Sequence, residues 1–384
     1  VHRMLLFKYL PLLIAANVAF AQHGTLKLVN LVYRHGQRTP ASTYPTDPHI
    51  NETFAPYGWG QLTNEGKNQQ YEQGKWLRER YDNFLGSKYT SDLLEALTTD
   101  VDRTKMSTAL MFAGLLPPVG DQIWNENLLW HPIPTSHQKL SEDKLLLVRG
   151  CPRFSEALNE VLKEEEVKKE LDEQQELYKY LSEHAGVEVK DPWGVEDIYS
   201  TLKAEEEFNL TLPEWTKEVY PDKLRDITAW SFQLNVWNKE LKKLKGGPLL
   251  KKILHDLNAK AEGKLPEGRK LYVYAGHDST VVNLLSALNV WEKQIPIYNI
   301  MAIIELHQVE DKYGVKVFLR NSTETLHELK VPGCNEYPCP LDELTKLSAD
   351  VLPDNLETTC KSTDEHYVPP TDSAPTLILI LWSS

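Results

Sequence analysis

The sequence predicts an α/β fold, in which helices flank a mixed central sheet and a smaller helical lobe is inserted. Two apolar runs, residues 26–33 and 270–276, have the pattern of buried strands, and each ends in a cluster of charged residues and histidine. Between them, residues 151–245 have amphipathic helical patterns and no strand-like run. We therefore assign residues 22–150 and 246–370 to an α/β catalytic domain and 151–245 to the inserted lobe.

The first 21 residues have the pattern of a secretory signal peptide. Arg3 and Lys8 make the start positively charged, and the mostly apolar residues 10–20 follow. Ala19-Phe20-Ala21 has the small residues of a cleavage site. A buried N-terminal helix is the alternative. Removal of the segment takes away Arg3 and Lys8, so the net charge changes from −13 to −15. A chain this acidic is poorly suited to nucleic acid, so we expect no such partner.

The first strand leads directly into Arg34, His35 and Arg38. Burial of a guanidinium without an anion is costly, and its flat set of donors matches the oxygens of a phosphate. Gly36 lets the backbone turn sharply and approach a ligand. A solvated strand end would explain Arg34 and His35 alone. The whole string RHGQRTP instead predicts a phosphate cradle that contains a nucleophilic or acid–base histidine.

Two helices follow this segment. Thr63 is the predicted cap of the first helix, and Asp100 or Asp102 is the predicted cap of the second. Arg103 lies in the first turn of the second helix, where a cation is unfavourable unless an anion offsets it. Arg103 is therefore a candidate for the same phosphate, and a surface pair with Asp102 is the alternative.

The second strand ends in His277 and Asp278, and Ser279 or Thr280 is the predicted cap of the helix that follows. Ligands of α/β sheets bind at the carboxyl ends of strands, so we expect the two polar clusters to meet there. Three arginines and two histidines can surround one phosphate, and one carboxylic acid can protonate the leaving oxygen. Such a site requires neither a metal nor another cofactor, and we expect none.

The remainder of the chain has weaker signals. Residues 300–307 and 315–320 are predicted to form further strands at the edge of the sheet. Residues 371–384 form an apolar tail whose longest apolar run is too short to span a bilayer, so membrane anchoring has no support and the role of the tail stays open.

Cysteines and glycosylation motifs agree with passage through the secretory route. The spacing of the four cysteines is not that of a zinc site, so disulfides are favoured, and the sequence alone allows three pairings. The cysteines are Cys151, Cys334, Cys339 and Cys360, and the N-glycosylation motifs begin at Asn51, Asn209 and Asn321.

The blocks RHGQRTP, TDVDRT and GHDST resemble, in this order, the catalytic blocks of the secreted and lysosomal histidine acid phosphatases. Matches such as YPTDP, GWGQLT, LWHPIP, CPRF and LTLPEW extend the resemblance over most of the chain, which looks most like the prostatic, lysosomal and insect venom types. The resemblance implies the histidine phosphatase fold, shared with phosphoglycerate mutases, and a phosphate monoester as substrate. It implies that His35 is the nucleophile, which forms a phosphohistidine, and that Asp278 is the proton donor. The residues that it implies for phosphate binding are Arg34, Arg38, Arg103 and His277.

The resemblance also implies two disulfides, Cys151–Cys360 and Cys334–Cys339. Gln37 departs from the prostatic type, which has an acidic residue there, and this change of charge can move the pH optimum. The intact His277-Asp278 pair suits phosphatases rather than the phytase-like members with His-Ala-Glu. We therefore expect a secreted acid phosphatase, while a lysosomal or membrane-tethered location and a homodimer stay open. The alternatives are a phosphomutase-like transferase and a non-catalytic secreted glycoprotein on the same fold.

Overall fold

The computed structural model of the protein describes residues 24–321 and 325–364. The predicted signal peptide, residues 1–21, and the apolar tail, residues 371–384, lie outside these ranges. Within the described residues, no helix combines the length and the apolar character that a membrane crossing needs.

A mixed sheet forms the centre of the molecule, as the sequence predicts. In the described residues its strands are β1 (Leu26–Arg34), β2 (Leu94–Thr98), β3 (Ser136–His137), β4 (Leu271–Gly276), β5 (Met301–Val309), β6 (Lys312–Arg320), β7 (Leu326–Leu329) and β8 (Cys339–Pro340). The spatial order is β3-β2-β4-β1-β5-β6-β7, and β8 pairs with β6. The strands from β3 to β1 are parallel, whereas β5 to β8 are added antiparallel, so the two predicted late strands extend the sheet beside β1.

Helices cover both faces of this sheet and form the lobe. They are α1 (Asn64–Leu85), α2 (Asp102–Leu115), α3 (Pro152–Val161), α4 (Glu165–Glu173), α5 (Gln175–Ala185), α6 (Pro192–Glu207), α7 (Asp222–Leu234), α8 (Lys239–Lys245), α9 (Gly247–Ala261), α10 (Asp278–Ala287), α11 (Leu341–Ser348) and α12 (Leu356–Thr359). Short 3₁₀ helices lie at Gly120–Gln122, Leu140–Glu142, Glu214–Glu218 and Ala349–Val351.

The central strands are buried on both faces, which explains their continuous apolar sequences. On one face, Leu28 and Val32 of β1 pack with residues of α9, α10 and α11. On the other face, Leu31 and Tyr33 pack with residues of α1 and α2. A Cβ added to Gly74 would lie 2.0 Å from the carbonyl oxygen of Met111, so glycine permits the close approach of these two helices.

Residues 152–245 are largely helical, in agreement with the amphipathic pattern, although their status as a separate domain stays a prediction. One apolar cluster joins α3, α7 and α8, and a second joins α5 and α6 with Tyr44. A disulfide between Cys151 and Cys360, with Cα atoms 4.6 Å apart, connects the start of α3 to the segment after α12. Cys334 and Cys339 form the second disulfide, so both pairs are those that the resemblance implies.

The helix starts correct two details of the sequence analysis. Thr63 caps α1 as predicted, since its side chain accepts the N–H of Gly66. The cap position of α2 is Val101, without a side-chain cap, because Asp102 is already helical and Asp100 pairs with Lys105.

At α10, the cap position is His277, so this helix begins before the predicted serine and threonine. Thr280 contributes from inside the first turn, where its hydroxyl accepts the backbone N–H of His277 at 3.1 Å.

Candidate active site

The two polar strand ends meet at one edge of the sheet. β1 and β4 are parallel neighbours in which Arg34 lies opposite Gly276, and the backbone N–H of His35 donates to the carbonyl of Gly276 at 3.2 Å. The rings of His35 and His277 are therefore close, with centroids 5.4 Å apart. All the residues predicted for the site are at most 9% exposed there, namely Arg34, His35, Arg38, Arg103, His277 and Asp278.

The backbone and Arg103 orient the imidazole of His35. Its Nδ1 lies 2.8 Å from the carbonyl oxygen of Gly36, which can only accept, so Nδ1 carries the proton and Nε2 carries the lone pair. Arg103 donates its Nε–H to this Nε2 at 3.0 Å. Burial, together with the charges of Arg103 and Arg34, lowers the pKa of His35 well below its usual value. The imidazole is thus neutral and can act as a nucleophile.

The loop after His35 is packed closely against the start of α1. A Cβ on Gly36 would lie 2.3 Å from the carbonyl oxygen of Gly66, so this position excludes other residues. The N–H of Gly36 donates to the hydroxyl of Ser107 at 3.2 Å, which attaches the loop to α2. The side-chain oxygen of Gln37 accepts a hydrogen bond from the hydroxyl of Thr63 at 2.7 Å.

Arg34 belongs to the predicted phosphate cradle and also contacts the predicted proton donor, Asp278. Its Nη2 forms an ion pair of 2.9 Å with Asp278, and its Nη1 donates to the carbonyl of Pro296 at 2.5 Å. The guanidinium also covers the ring of Tyr298, 4.3 Å from the ring centre. Asp278 is the first residue of α10, and its other carboxylate oxygen accepts the N–H of Ser279 at 2.7 Å.

The other two arginines have mainly uncharged partners. Arg38 donates to the carbonyl of Thr39 at 3.1 Å and to the hydroxyl of Ser200 at 2.8 Å, so helix α6 of the lobe contributes to the site. Burial and the positive charge of Arg38 lower the pKa of Arg103 to about 9, which leaves its guanidinium protonated at neutral and acidic pH. The positive charge of three guanidinium groups at this site favours an anion, while Glu196, Asp197 and Glu207 line the adjoining pocket together with Asp278.

His277 is held from the opposite side. Its Nε2 lies 3.0 Å from the hydroxyl of Thr99, and its Nδ1 lies 3.5 Å from Nη2 of Arg103. Burial and the charge of Arg103 lower the pKa of His277 well below its usual value, so it is a neutral hydrogen-bonding group. Thr99 also bonds to Thr104, and this chain fixes the ring orientation.

Sequence reasoning missed several residues that support this geometry. Tyr298 and Ser200 come from segments in which no charged motif drew attention to them, a loop and the face of a lobe helix. Thr99 is the first residue of the TDVDRT block, four positions before Arg103, so its place in this block was a usable signal. None of these residues could be paired with its partner from the sequence alone.

The remaining predicted positions lie away from the cradle. Asn51 and Asn209 are exposed, whereas Asn321 is partly buried and its amide nitrogen donates to Gln294 at 3.1 Å. The group of possible metal ligands found among the described residues is Cys334, Cys339 and Glu343, but its two sulfurs form a disulfide. The expected lack of a metal stays a prediction.

Comparison with known proteins gives one consistent result. The family model of the histidine phosphatase superfamily (branch 2) matches residues 25–320. The chain is 40% identical to prostatic acid phosphatase of Homo sapiens over 351 residues, which cover 89% of each chain. It is 38% identical to venom acid phosphatase Acph-1 of Apis mellifera over 348 residues, again 89% of each chain. Among solved structures, a phytase of Hafnia alvei has the same fold, with a TM-score of 0.65, 18% identity and coverage of 88% of this chain and 98% of the phytase.

Proposed function

The chain belongs to branch 2 of the histidine phosphatase superfamily, and on this basis we propose that it is an acid phosphatase that hydrolyses phosphate monoesters through a phosphohistidine. The observation that carries the proposal is the neutral imidazole of His35, whose Nε2 faces a cluster of buried guanidinium groups. Asp278 lies at the rim of the same cluster, paired with Arg34. The proposed nucleophile and the proposed acid thus each contact a guanidinium of the same cluster.

In the first proposed step, Nε2 of His35 attacks the phosphorus and the bond to the ester oxygen breaks. The proton of Asp278 passes to that oxygen, so the alcohol leaves without a charge. Arg34, Arg38 and Arg103 stabilise the charge on the phosphoryl oxygens, and they need no metal to do so. For Nε2 to attack, Arg103 must transfer its hydrogen bond from His35 to the incoming phosphate.

In the second step, water attacks the phosphohistidine and the carboxylate of Asp278 accepts a proton from this water. The bond between phosphorus and Nε2 breaks, inorganic phosphate leaves, and His35 is neutral again. The acid that protonated the leaving oxygen is thereby regenerated, which closes the cycle.

The test is the covalent intermediate. His35→Ala should remove phosphate release almost entirely while the melting temperature stays close to that of the wild type. Rapid quenching during turnover should trap a phosphoramidate on His35, labile in acid and stable in base. A base-labile acyl phosphate would instead identify a carboxylate as the nucleophile and would refute the assignment.

We further propose that the protein is secreted and N-glycosylated and that it forms a homodimer. The two disulfides suit an oxidising compartment, and Asn51 and Asn209 are exposed where a glycan needs space. Asn321 must first release Gln294, so we expect lower occupancy there. Peptide mapping of protein secreted from cells, with and without glycosidase, checks the glycans, and light scattering checks the dimer.

A further inference from the structure

A second cavity, of about 310 Å³, lies beside the active site, and we name it the lobe cavity. Glu196 and Phe232 line both the lobe cavity and the pocket of about 240 Å³ at Arg34 and Asp278. These two side chains thus lie where the cavities adjoin. The volume of the lobe cavity is at the lower end of the range for small-molecule sites, about 300–1,000 Å³.

The lobe cavity is apolar over much of its wall. The apolar and aromatic side chains come from the loop before α3, from α3, and from helices α6 and α7; they are Leu147, Phe154, Leu158, Leu162, Trp193 and Phe232. Such a wall favours a ligand with an aromatic or branched aliphatic body.

Cations also line this cavity, among them Lys245 of α8 and Arg149 of the loop before α3. Lys245 is only 8% exposed, and its Nζ contacts the carbonyl oxygens of Leu147 and Val148 at 3.3 and 3.4 Å. It also lies 4.3 Å from the ring centre of Phe154. These bonds are long, and in the described part of the chain Lys245 forms no ion pair with a carboxylate. A buried ammonium with such partners retains much of its capacity to bind an anion.

The carboxyl groups near these cations also accept hydrogen bonds from other groups, and the charge of Asp143 partly offsets the lowering of the pKa of Lys245 and Arg149. Asp191 caps α6 by accepting the N–H of Gly194 at 2.9 Å, and one oxygen of Asp143 accepts three backbone N–H groups. Glu196 accepts the hydroxyl of Ser231 at 2.6 Å. Burial and the charge of Asp278 raise the pKa of Glu196 to about 8, so this carboxyl is neutral in acid.

The cations respond to pH in the opposite way. Burial and the charge of Arg149 lower the pKa of Lys245 to about 8, and burial also lowers the pKa of Arg149. Both remain charged in mild acid, and Lys190, which also lines the cavity, adds a third positive charge. Since Glu196 is neutral under these conditions, the three cations of the lining outnumber the carboxylate of Asp191, and the net charge of the lining is positive.

We propose that the lobe cavity binds a small amphipathic anion, namely an aromatic or branched aliphatic carboxylate. Its carboxylate contacts Lys245 in the positive field to which Arg149 contributes, and its apolar body packs against Phe154, Leu158 and Trp193. This site is separate from the phosphate cradle, and the proposal does not depend on the catalytic roles assigned above.

The probe is 3-phenylpropionate, with the uncharged 3-phenylpropionamide as its matched control, titrated calorimetrically at about pH 6, where the carboxylate is ionised. We expect saturable binding of the acid and binding at least about tenfold weaker for the amide. Lys245→Met should weaken the acid at least about tenfold, as expected for the loss of a charge-assisted hydrogen bond. Lys243→Met, on the same helix but outside the cavity lining, should leave the affinity unchanged.

Two further variants separate the sites. Arg38→Ala alters the phosphate cradle, so binding that persists in it supports the lobe cavity and binding that disappears overturns the proposal. Leu158 is partly buried in the apolar wall, so Leu158→Trp should fill the lobe cavity and abolish binding. This variant tests the site independently if Lys245→Met does not fold. Equal affinities for acid and amide, equal effects of the two lysine variants, or no binding to the wild type would each overturn the proposal.

Discussion

Two buried ionic clusters on the central sheet differ in their balance of charge. In the first, Arg80 and Tyr81 donate hydrogen bonds to one carboxylate oxygen of Glu305 in β5, at 2.7 and 2.6 Å. The other oxygen of Glu305 contacts Nε2 of His307 at 2.9 Å. Burial opposes ionisation, but the bond with His307 and the charge of Arg80 lower the pKa of Glu305 to about 2. This cluster provides the carboxylate's partners from within the protein.

The phosphate cradle is arranged in the opposite way. Asp278 pairs with Arg34, while the partners of Arg38 and Arg103 include carbonyl, hydroxyl and imidazole groups. Both clusters are buried but differ in charge balance, so burial of charged residues alone does not identify a functional site. A balanced cluster holds the fold together, whereas a cluster with excess charge of one sign is organised for a ligand.

The largest effect is expected from removal of the proposed proton donor, Asp278. Asp278→Asn should slow hydrolysis of alkyl phosphates by roughly 10²–10⁴. Nitrophenyl phosphate should lose much less rate, because nitrophenolate leaves without a proton. Steady-state rates for both substrates decide the matter. Equal losses would mean that Asp278 positions Arg34 or phosphate and that the proton has another source.

The excess charge itself is tested by Arg103. Arg103→Ala should lower kcat/KM by roughly 10²–10³, as for the loss of one preorganised donor, without lowering the melting temperature. Arg103→Lys should recover only part of the rate, because its ammonium lacks the geometry of the fork. Full activity of Arg103→Ala would show that the contact with His35 has no role in turnover.

The balanced cluster should respond in stability and not in catalysis. Glu305→Gln leaves the charge of Arg80 without its partner and should lower the free energy of unfolding by about 3 kcal/mol, near the lower limit for a broken buried pair because Arg80 is partly exposed. Urea unfolding measures this loss, and kcat/KM of the folded variant should equal that of the wild type. A large fall in kcat/KM with unchanged stability would reverse the comparison.

Glu205 and Asp47 form a third group of buried charge, and this group makes stability depend on pH. Glu205 is fully buried, and burial together with Asp47 raises its pKa to about 9. The folded pKa thus exceeds the unfolded one, so the contribution of Glu205 to stability is complete below about pH 4.3 and is lost as pH rises through about 9, by at most about 1.4 kcal/mol per pH unit. Glu205→Gln should therefore lose less stability between these limits. Urea unfolding of the wild type and of Glu205→Gln over this pH range measures the slope of unfolding free energy against pH. Glu196 contributes equally to both slopes, so equal slopes would show that Glu205 and Asp47 do not cause the pH dependence.

The sequence predicted the parts of the site that the backbone determines. Apolar runs locate β1 and β4, and parallel pairing brings His35 and His277 together at one edge. It did not predict the ion pair of Arg34 with Asp278, because both were assigned to substrate and their mutual distance depends on tertiary packing.

The contacts of side chains from distant segments were also beyond prediction. Ser200 reaches Arg38 because α6 of the lobe lies against the site, and nothing in the helical pattern of the lobe distinguishes that hydroxyl. The cap of α2 was mispredicted for the same kind of reason, since Asp100 has a competing partner in Lys105.

The hydrogen bond from Arg103 to His35 gives the resting site a form of self-protection. In the proposed mechanism, the lone pair of Nε2 that is to attack phosphorus accepts a hydrogen bond from this guanidinium until the substrate arrives. Neutral electrophiles offer that guanidinium nothing better, whereas the oxygens of a phosphate do. The site would thus select phosphate esters over neutral electrophiles before the bond to phosphorus forms, because binding of the phosphate itself frees Nε2 of His35.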